Sequence, residues 1–156
     1  QSHYFEHFMG GLCDAQGVKL EDCFAQSFCL SADVTNAYDP NFADVHDKRN
    51  SAFLNYGVAI MKYTGSGGKG RASDASAEAM GHIRTTLDKA GVVWQIATLG
   101  KVDQGGGGTI AYCMANRNIP TVDAGGPVLN MHAPAELVSK LDCYETMLAC
   151  KAIYLA

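Results

Sequence analysis

The sequence predicts an α/β fold, a largely parallel sheet with helices on both faces. Three observations carry that expectation. Short apolar runs such as 58–63 and 92–97 alternate with longer stretches of helical periodicity. The helical stretches carry their own start and stop residues. No internal repeat or linker divides the 156 residues, a length that suits one domain.

The elements follow in order. Residues 2–12 read as a helix with an aromatic face of Tyr4, Phe5 and Phe8, weakened at its end by Gly10 and Gly11. Residues 20–26 read as a second short helix, and 27–34 as a buried strand ending in polar residues. Residues 35–55 are polar and almost unpatterned; a structureless stretch of roughly 20 residues is uncommon in a compact domain and is usually functional. Residues 58–63 are the next strand, and the Gly-rich 64–70 follow. Ser73 or Asp74 caps a helix that runs to Ala90 and is stopped by Gly91. Residues 92–97 form a strand, 109–116 a short helix after a glycine run, and 120–123 another strand. Residues 130–133 are a loop at a strand-to-helix turn. Pro134 suits the first position of a final helix whose core face is Leu137, Leu141, Tyr144 and Leu148, joined by Val138 and Met147.

Composition excludes several classes. A net charge of −4 offers no basic stripe for nucleic acid. No apolar run approaches the ~18 residues of a membrane span. No secretory signal is visible, although the chain begins Gln1-Ser2-His3, without Met. The six cysteines include no C-x-x-C pair, and Cys143 and Cys150, on one predicted helix, are about 10 Å apart in rise and cannot bridge. Their plain reading is buried apolar thiols in a reducing, cytoplasmic setting.

Sites in open α/β sheets gather at the carboxyl ends of strands. Here those ends offer Asp33, the glycine run and His132, provided the strands are parallel. Asp33 is either a metal ligand or a capping group; His132 is either a ligand or a hydrogen-bonded structural residue. A carboxylate and an imidazole suit zinc, but two ligands do not complete a site. His3 and His7 share a helix face, a spacing that can bind a metal, but without an H-E-x-x-H signature they read as helix surface or a subunit contact. The run from Gly105 to Gly108, including Gly106 and Gly107, precedes a helix and offers backbone N–H groups to an anion or allows close packing; no Walker lysine follows it. Lys62, at a strand end, is either solvated or a contact for a substrate anion.

Ser31-Ala32-Asp33-Val34-Thr35-Asn36-Ala37-Tyr38-Asp39-Pro40-Asn41 resembles the S-A-D-x-x-H-A-x-x-P-N segment of aspartyl aminopeptidases, the family that includes vacuolar aminopeptidase I. The strand led by Gly57 and carrying Lys62, the Ala72-Ser73-Asp74-Ala75 stretch, the glycine run with Thr109-Ile110 and the Met131-His132 turn match in the same order, so the resemblance covers essentially the whole chain. It implies a zinc exopeptidase fold, incomplete here, with residues 1–156 as the C-terminal portion of a metallopeptidase catalytic domain that a second, assembly domain interrupts. It implies Asp33 and His132 as metal ligands and Lys62 as a substrate contact. Asn36 stands where the family commonly has a substrate-contacting His, and Arg71 where it commonly has a Tyr, so substrate preference is the property in doubt. The general-base Glu, the bridging Asp and the first His ligand are implied upstream, leaving no catalytic base in this chain. The resemblance further implies two zinc ions per complete site, with cobalt or manganese as alternatives, a peptide substrate with an acidic N-terminal residue, and assembly into a dodecamer. The rival readings are a non-catalytic fragment or structural subunit of the same family, and an unrelated anion-binding α/β protein.

Overall fold

A computed structural model describes residues 2–64, 73–101, 104 and 106–156. In chain order the elements are helices α1 (Tyr4–Gln16) and α2 (Leu20–Ala25), strands β1 (Cys29–Ser31) and β2 (Thr35–Asn36), a 3-10 segment (Pro40–Val45), and β3 (Val58–Met61), β4 (Tyr63–Thr64) and β5 (Ser73–Asp74). Then come α3 (Ala77–Ala90), β6 (Trp94–Ala97), α4 (Ala111–Ala115), β7 (Thr121–Gly125), β8 (Pro127–Leu129), β9 (Leu137–Val138) and α5 (Lys140–Tyr154).

The main sheet has the order β1-β7-β3-β6. β1 runs parallel to β7 and β3 parallel to β6, but β3 and β7 are antiparallel. The sheet is thus parallel in its two outer pairings and reverses at its centre. Strand side chains alternate between faces. Val58, Ile60, Val122 and Ala124 meet Ile83 and Leu87 of α3 and Ala149 of α5 on one face, in the principal core. Ile83 and Leu87, four apart and fully buried, each contribute about 1.5–3 kcal/mol of hydrophobic stabilisation. Ala59 of β3 and Ala97 of β6 pack with Ala52 on the other face. Just before α4, Thr109 bonds Asp123 of β7.

Several boundaries differ from expectation. α1 continues through Gly10 and Gly11 and ends at Gly17 in the left-handed region. Ser73 and Asp74 do not cap α3; they pair with β4, and the cap is Ser76, whose hydroxyl accepts from Ala79 N at 3.1 Å. Gly91 ends α3 at φ 68°, as a left-handed C-cap should. Residues 35–55 are organised after all: β2 pairs with β8, Ala37 bridges Ala52, and Asp39 caps the 3-10 segment by accepting from Asn41 N at 2.8 Å.

The last helix departs most. Pro134 lies outside it; Leu137 and Val138 form β9, and Ser139 is the N-cap, accepting from Leu141 N and Asp142 N. Of the predicted core face, Leu148 packs against the principal core, but the rest points outward, with Leu141 65% and Tyr144 55% exposed. The inner face instead carries Asp142 and Ala149, both 1% exposed. Asp142 turns inward because its carboxylate accepts from Asn55 N and Gly57 N, each at 2.8 Å, while Ser139 Oγ donates to Asn55 Oδ1 at 2.6 Å. Gly57 needs this hold: its φ is 84°, and a Cβ there would lie 2.1 Å from the Val93 carbonyl oxygen.

Replacing Asp142 with Ala strands two N–H groups at the entry to β3. Urea unfolding is expected to show a loss of about 3 kcal/mol, and an unchanged midpoint would refute this account of the α5–β3 junction.

Candidate active site

An open cleft of about 440 Å³ lies between residues of the 36–46 stretch, Leu99, Gly100, Gly106 and Gly107, and residues 130–132. Asn36, Gly106, Gly107 and His132, four of the residues singled out in the sequence, line it together with His46 and Leu99. A larger cavity of about 610 Å³ lies beside β1, but Phe5, Phe24, Phe28, Leu30 and Met114 make it apolar, and none of the singled-out residues lines it.

The cleft does not arise from three carboxyl ends at one sheet edge, as expected. Because β3 and β7 are antiparallel, the strand that leads to the glycine run points away from the end of β1. Backbone bonds between loops bring the walls together instead. Thr98 N donates to Asn50 O at 2.6 Å, and Lys101 N to Val45 O at 3.2 Å.

His132 does not sit at a strand-to-helix turn. It lies in the connection of a hairpin, since β8 and β9 pair through Val128–Val138 and Leu129–Leu137. Asn130 and His132 both adopt positive φ, 58° and 67°, a region that Asn and His visit more readily than most residues. The His132 backbone N–H donates to Glu136 Oε1 at 2.5 Å, fixing the turn, and the side chain is exposed.

Asp33 follows β1 and is also exposed. Its Oδ1 accepts from Val34 N at 2.8 Å, leaving the other oxygen open to a ligand. Its backbone lies directly on β7: a Cβ on Gly125 would stand 1.7 Å from the Asp33 carbonyl oxygen. Asp33 is not among the residues that line this cleft. Among the described residues, no group of three or more His, Cys, Asp or Glu could hold a metal ion.

Lys62 is engaged elsewhere. Its ammonium pairs with Asp74 and donates to Ala75 O at 2.9 Å, and the bond to Asp74 raises its pKa. Arg71 lies outside the described residues. His3 pairs with Glu6 on the exposed face of α1 at 2.8 Å. All six cysteines are free thiols.

The sequence reading missed Asp123. It is 2% exposed in the middle of β7, between Ser31 of β1 and Met61 of β3. Burial pushes its pKa up, the nearby hydroxyls of Ser31, Thr109 and Thr64 oppose that, and the charge of Asp33 adds to it. A carboxylate inside Thr121-Val122-Asp123-Ala124-Gly125, followed by a second glycine, was the available signal.

The model of the family Aminopeptidase I zinc metalloprotease (M18) matches residues 1–154. The chain belongs to this family. A probable M18 family aminopeptidase 1 of Borreliella burgdorferi (strain ZS7) is 45% identical over 159 residues, covering 98% of this chain and 35% of its own length. The crystal structure of the M18 aminopeptidase from Thermotoga maritima superposes with a TM-score of 0.91 at 41% identity, over 98% of this chain and 35% of that one. The S. cerevisiae mApe1 dodecamer shares the fold, with a TM-score of 0.71 at 20% identity, over 94% of this chain and 33% of that one. The chain therefore spans about a third of the length of the M18 aminopeptidases it matches.

Asp123 gives the site a pH signature. Its folded pKa lies above the ordinary 3.8, so between those two values the folded state holds more protons than the unfolded state. Its contribution is therefore fully present at low pH and is lost as pH rises through the raised value. Asp123→Asn is expected to gain stability relative to the parent as pH rises through that window, read by urea unfolding across pH. Parallel profiles for the two proteins would refute the assignment.

Proposed function

We propose that this chain is the C-terminal portion of the catalytic domain of an M18 aminopeptidase that removes N-terminal residues from peptides. The observation that supports this most is the placement of Asn36, Gly106, Gly107 and His132 around one cleft, in a chain whose family model spans residues 1–154.

The residues present suit a metal of the zinc class. Asp33 is an exposed carboxylate with a free oxygen, seated where only a glycine lets β7 approach; His132 is an exposed imidazole on a pinned turn. Each would supply one outer ligand of a two-ion site, and the remaining ligands and the general-base Glu would come from the upstream part of the domain. Bound zinc lowers the pKa of its water to about 7 and polarises a carbonyl. In this chain, the N–H groups of Gly106 and Gly107 would hold the peptide backbone and Asn36 would contact the N-terminal residue. Lys62 would favour an acidic side chain after leaving Asp74, and Arg71 would assist it. Like the mApe1 dodecamer, the complete protein would work as a homo-oligomer, with peptides and the upstream portion as its partners. We place it in the cytoplasm, in keeping with its free thiols; no described helix is long and apolar enough to cross a membrane.

The test uses the full-length protein. Aspartyl- and leucyl-terminated peptides are supplied with zinc, and a preference for the acidic peptide is expected; equal turnover would remove the acidic specificity. Asp33→Ala and His132→Ala are each expected to lower kcat/KM by more than about 100-fold and to reduce bound zinc. Unchanged zinc content in both variants would overturn the ligand assignment. Absence of any turnover in the parent would favour a non-catalytic, structural member of the family.

A further inference from the structure

The glycine wall of the cleft has no side chains with which to fix itself. Gly106 sits at φ 123°, open to glycine and few other residues, and Gly108 has no neighbour where a Cβ would point. Gly107 is tight, for a Cβ there would stand 2.8 Å from Leu99 Cδ2. A wall of that kind holds a peptide only if something sets its position.

On the C-terminal side of the wall, Thr109 is tied down twice. Its Oγ1 lies 3.0 Å from Asp123 Oδ2 and 3.2 Å from Ala111 N. A carboxylate accepts, so the hydroxyl proton goes to Asp123, and an oxygen lone pair takes the Ala111 N–H. Both functions of the hydroxyl are engaged, one on each side of the residue. Asp123 is an unusually firm post, because β7 is paired on both sides, to β1 through Ser31 and to β3 through Met61. It is 2% exposed, where a bond to a charged acceptor outweighs one at the surface.

We infer that Thr109 is a positioning residue. Its bond to Asp123 sets Gly106 and Gly107 at the distance from His132 and Asn36 that a substrate backbone requires. This rests on the aminopeptidase reading and adds to it a residue that touches neither metal nor substrate. The acceptor, Asp123, lies on the strand whose Gly125 supports Asp33, so one strand registers the glycine wall against the candidate metal ligand.

The experiment compares Thr109→Val, which keeps the shape and loses the hydroxyl, with Thr109→Ser, which keeps the hydroxyl, both in the full-length enzyme with zinc. Thr109→Val is expected to raise KM for a peptide about tenfold with kcat within about twofold, while Thr109→Ser restores KM to within about twofold of the parent. Hydrogen exchange at Gly107, Gly108 and Ala111 is expected to quicken in Thr109→Val and not in Thr109→Ser. An unchanged KM, a fall in kcat without a rise in KM, equal defects in both variants, or a Thr109→Val protein that fails to fold would each overturn the positioning role. If the parent shows no peptidase activity, the functional reading fails on its own. The exchange rates then still decide the pin: unchanged exchange in Thr109→Val rejects it.

Discussion

The carboxylate of Asp142 carries more of this structure than any other single group. It sits in the first turn of α5, favourably placed against the helix dipole, and closes two backbone N–H groups of a turn more than 80 residues earlier in the chain. That turn must be tight, because Gly57 passes against Val93 where no side chain fits. With Asn55 and Gly57 held, Val58 N can reach Val93 O at 3.0 Å and the β3–β6 pairing begins in register. β3 is the strand on which the sheet reverses, and its register sets Met61 opposite Asp123. The register of the sheet at the site therefore depends on a first-turn carboxylate of α5.

The reversal between β3 and β7 has a functional consequence. In a fully parallel sheet, loops converge at one edge without further help. Here they do not, so two inter-loop backbone bonds and a hydroxyl–carboxylate contact do the gathering. Such contacts are few and local: backbone N–H groups at Thr98 and Lys101, and the hydroxyl of Thr109.

Much of the fold was legible because its signals are local. Gly91 ends α3 where a left-handed cap was read, and the apolar runs at β3 and β6 are strands. What failed depended on remote partners. Ser73 and Ser76 are both good caps by chemistry, and only the pairing of Ser73 with Thr64 removes the first. Leu137, Leu141 and Tyr144 look like a core face by periodicity, whereas the inner face begins with a charge, Asp142, whose partners lie at Asn55 and Gly57. Pro134 misled because a hairpin, closed by β9, intervenes before the helix. The candidate ligands Asp33 and His132 were legible only through resemblance to a motif; spacing alone left each ambiguous. Asp123 stayed hidden because a lone carboxylate in an apolar strand looks like an exception until three hydroxyls are seen around it.

The small β2-β8-β9 sheet links the segments that carry the candidate ligands Asp33 and His132, which lie far apart in sequence. Asp33 stands two residues before β2, and His132 follows the end of β8, while Thr35 pairs with Pro127 and Asn36 with Val128 in parallel. A parallel ladder advances about 3.3 Å per residue, so it fixes the offset between the two chains as a ruler would. Gly125 holds the Asp33 end of that ruler against β7, and the β8–β9 hairpin folds the other end back over the cleft at His132. Asn36 lies on the ladder itself and lines the cleft. A one-residue slip between β2 and β8 would turn Asn36 to the opposite face and move Asp33 off Gly125 at the same time. The placement of Asn36 and that of Asp33 are thus coupled through a two-residue strand pair, and the close passage of Gly125 against Asp33 leaves that end of the pair little room to shift.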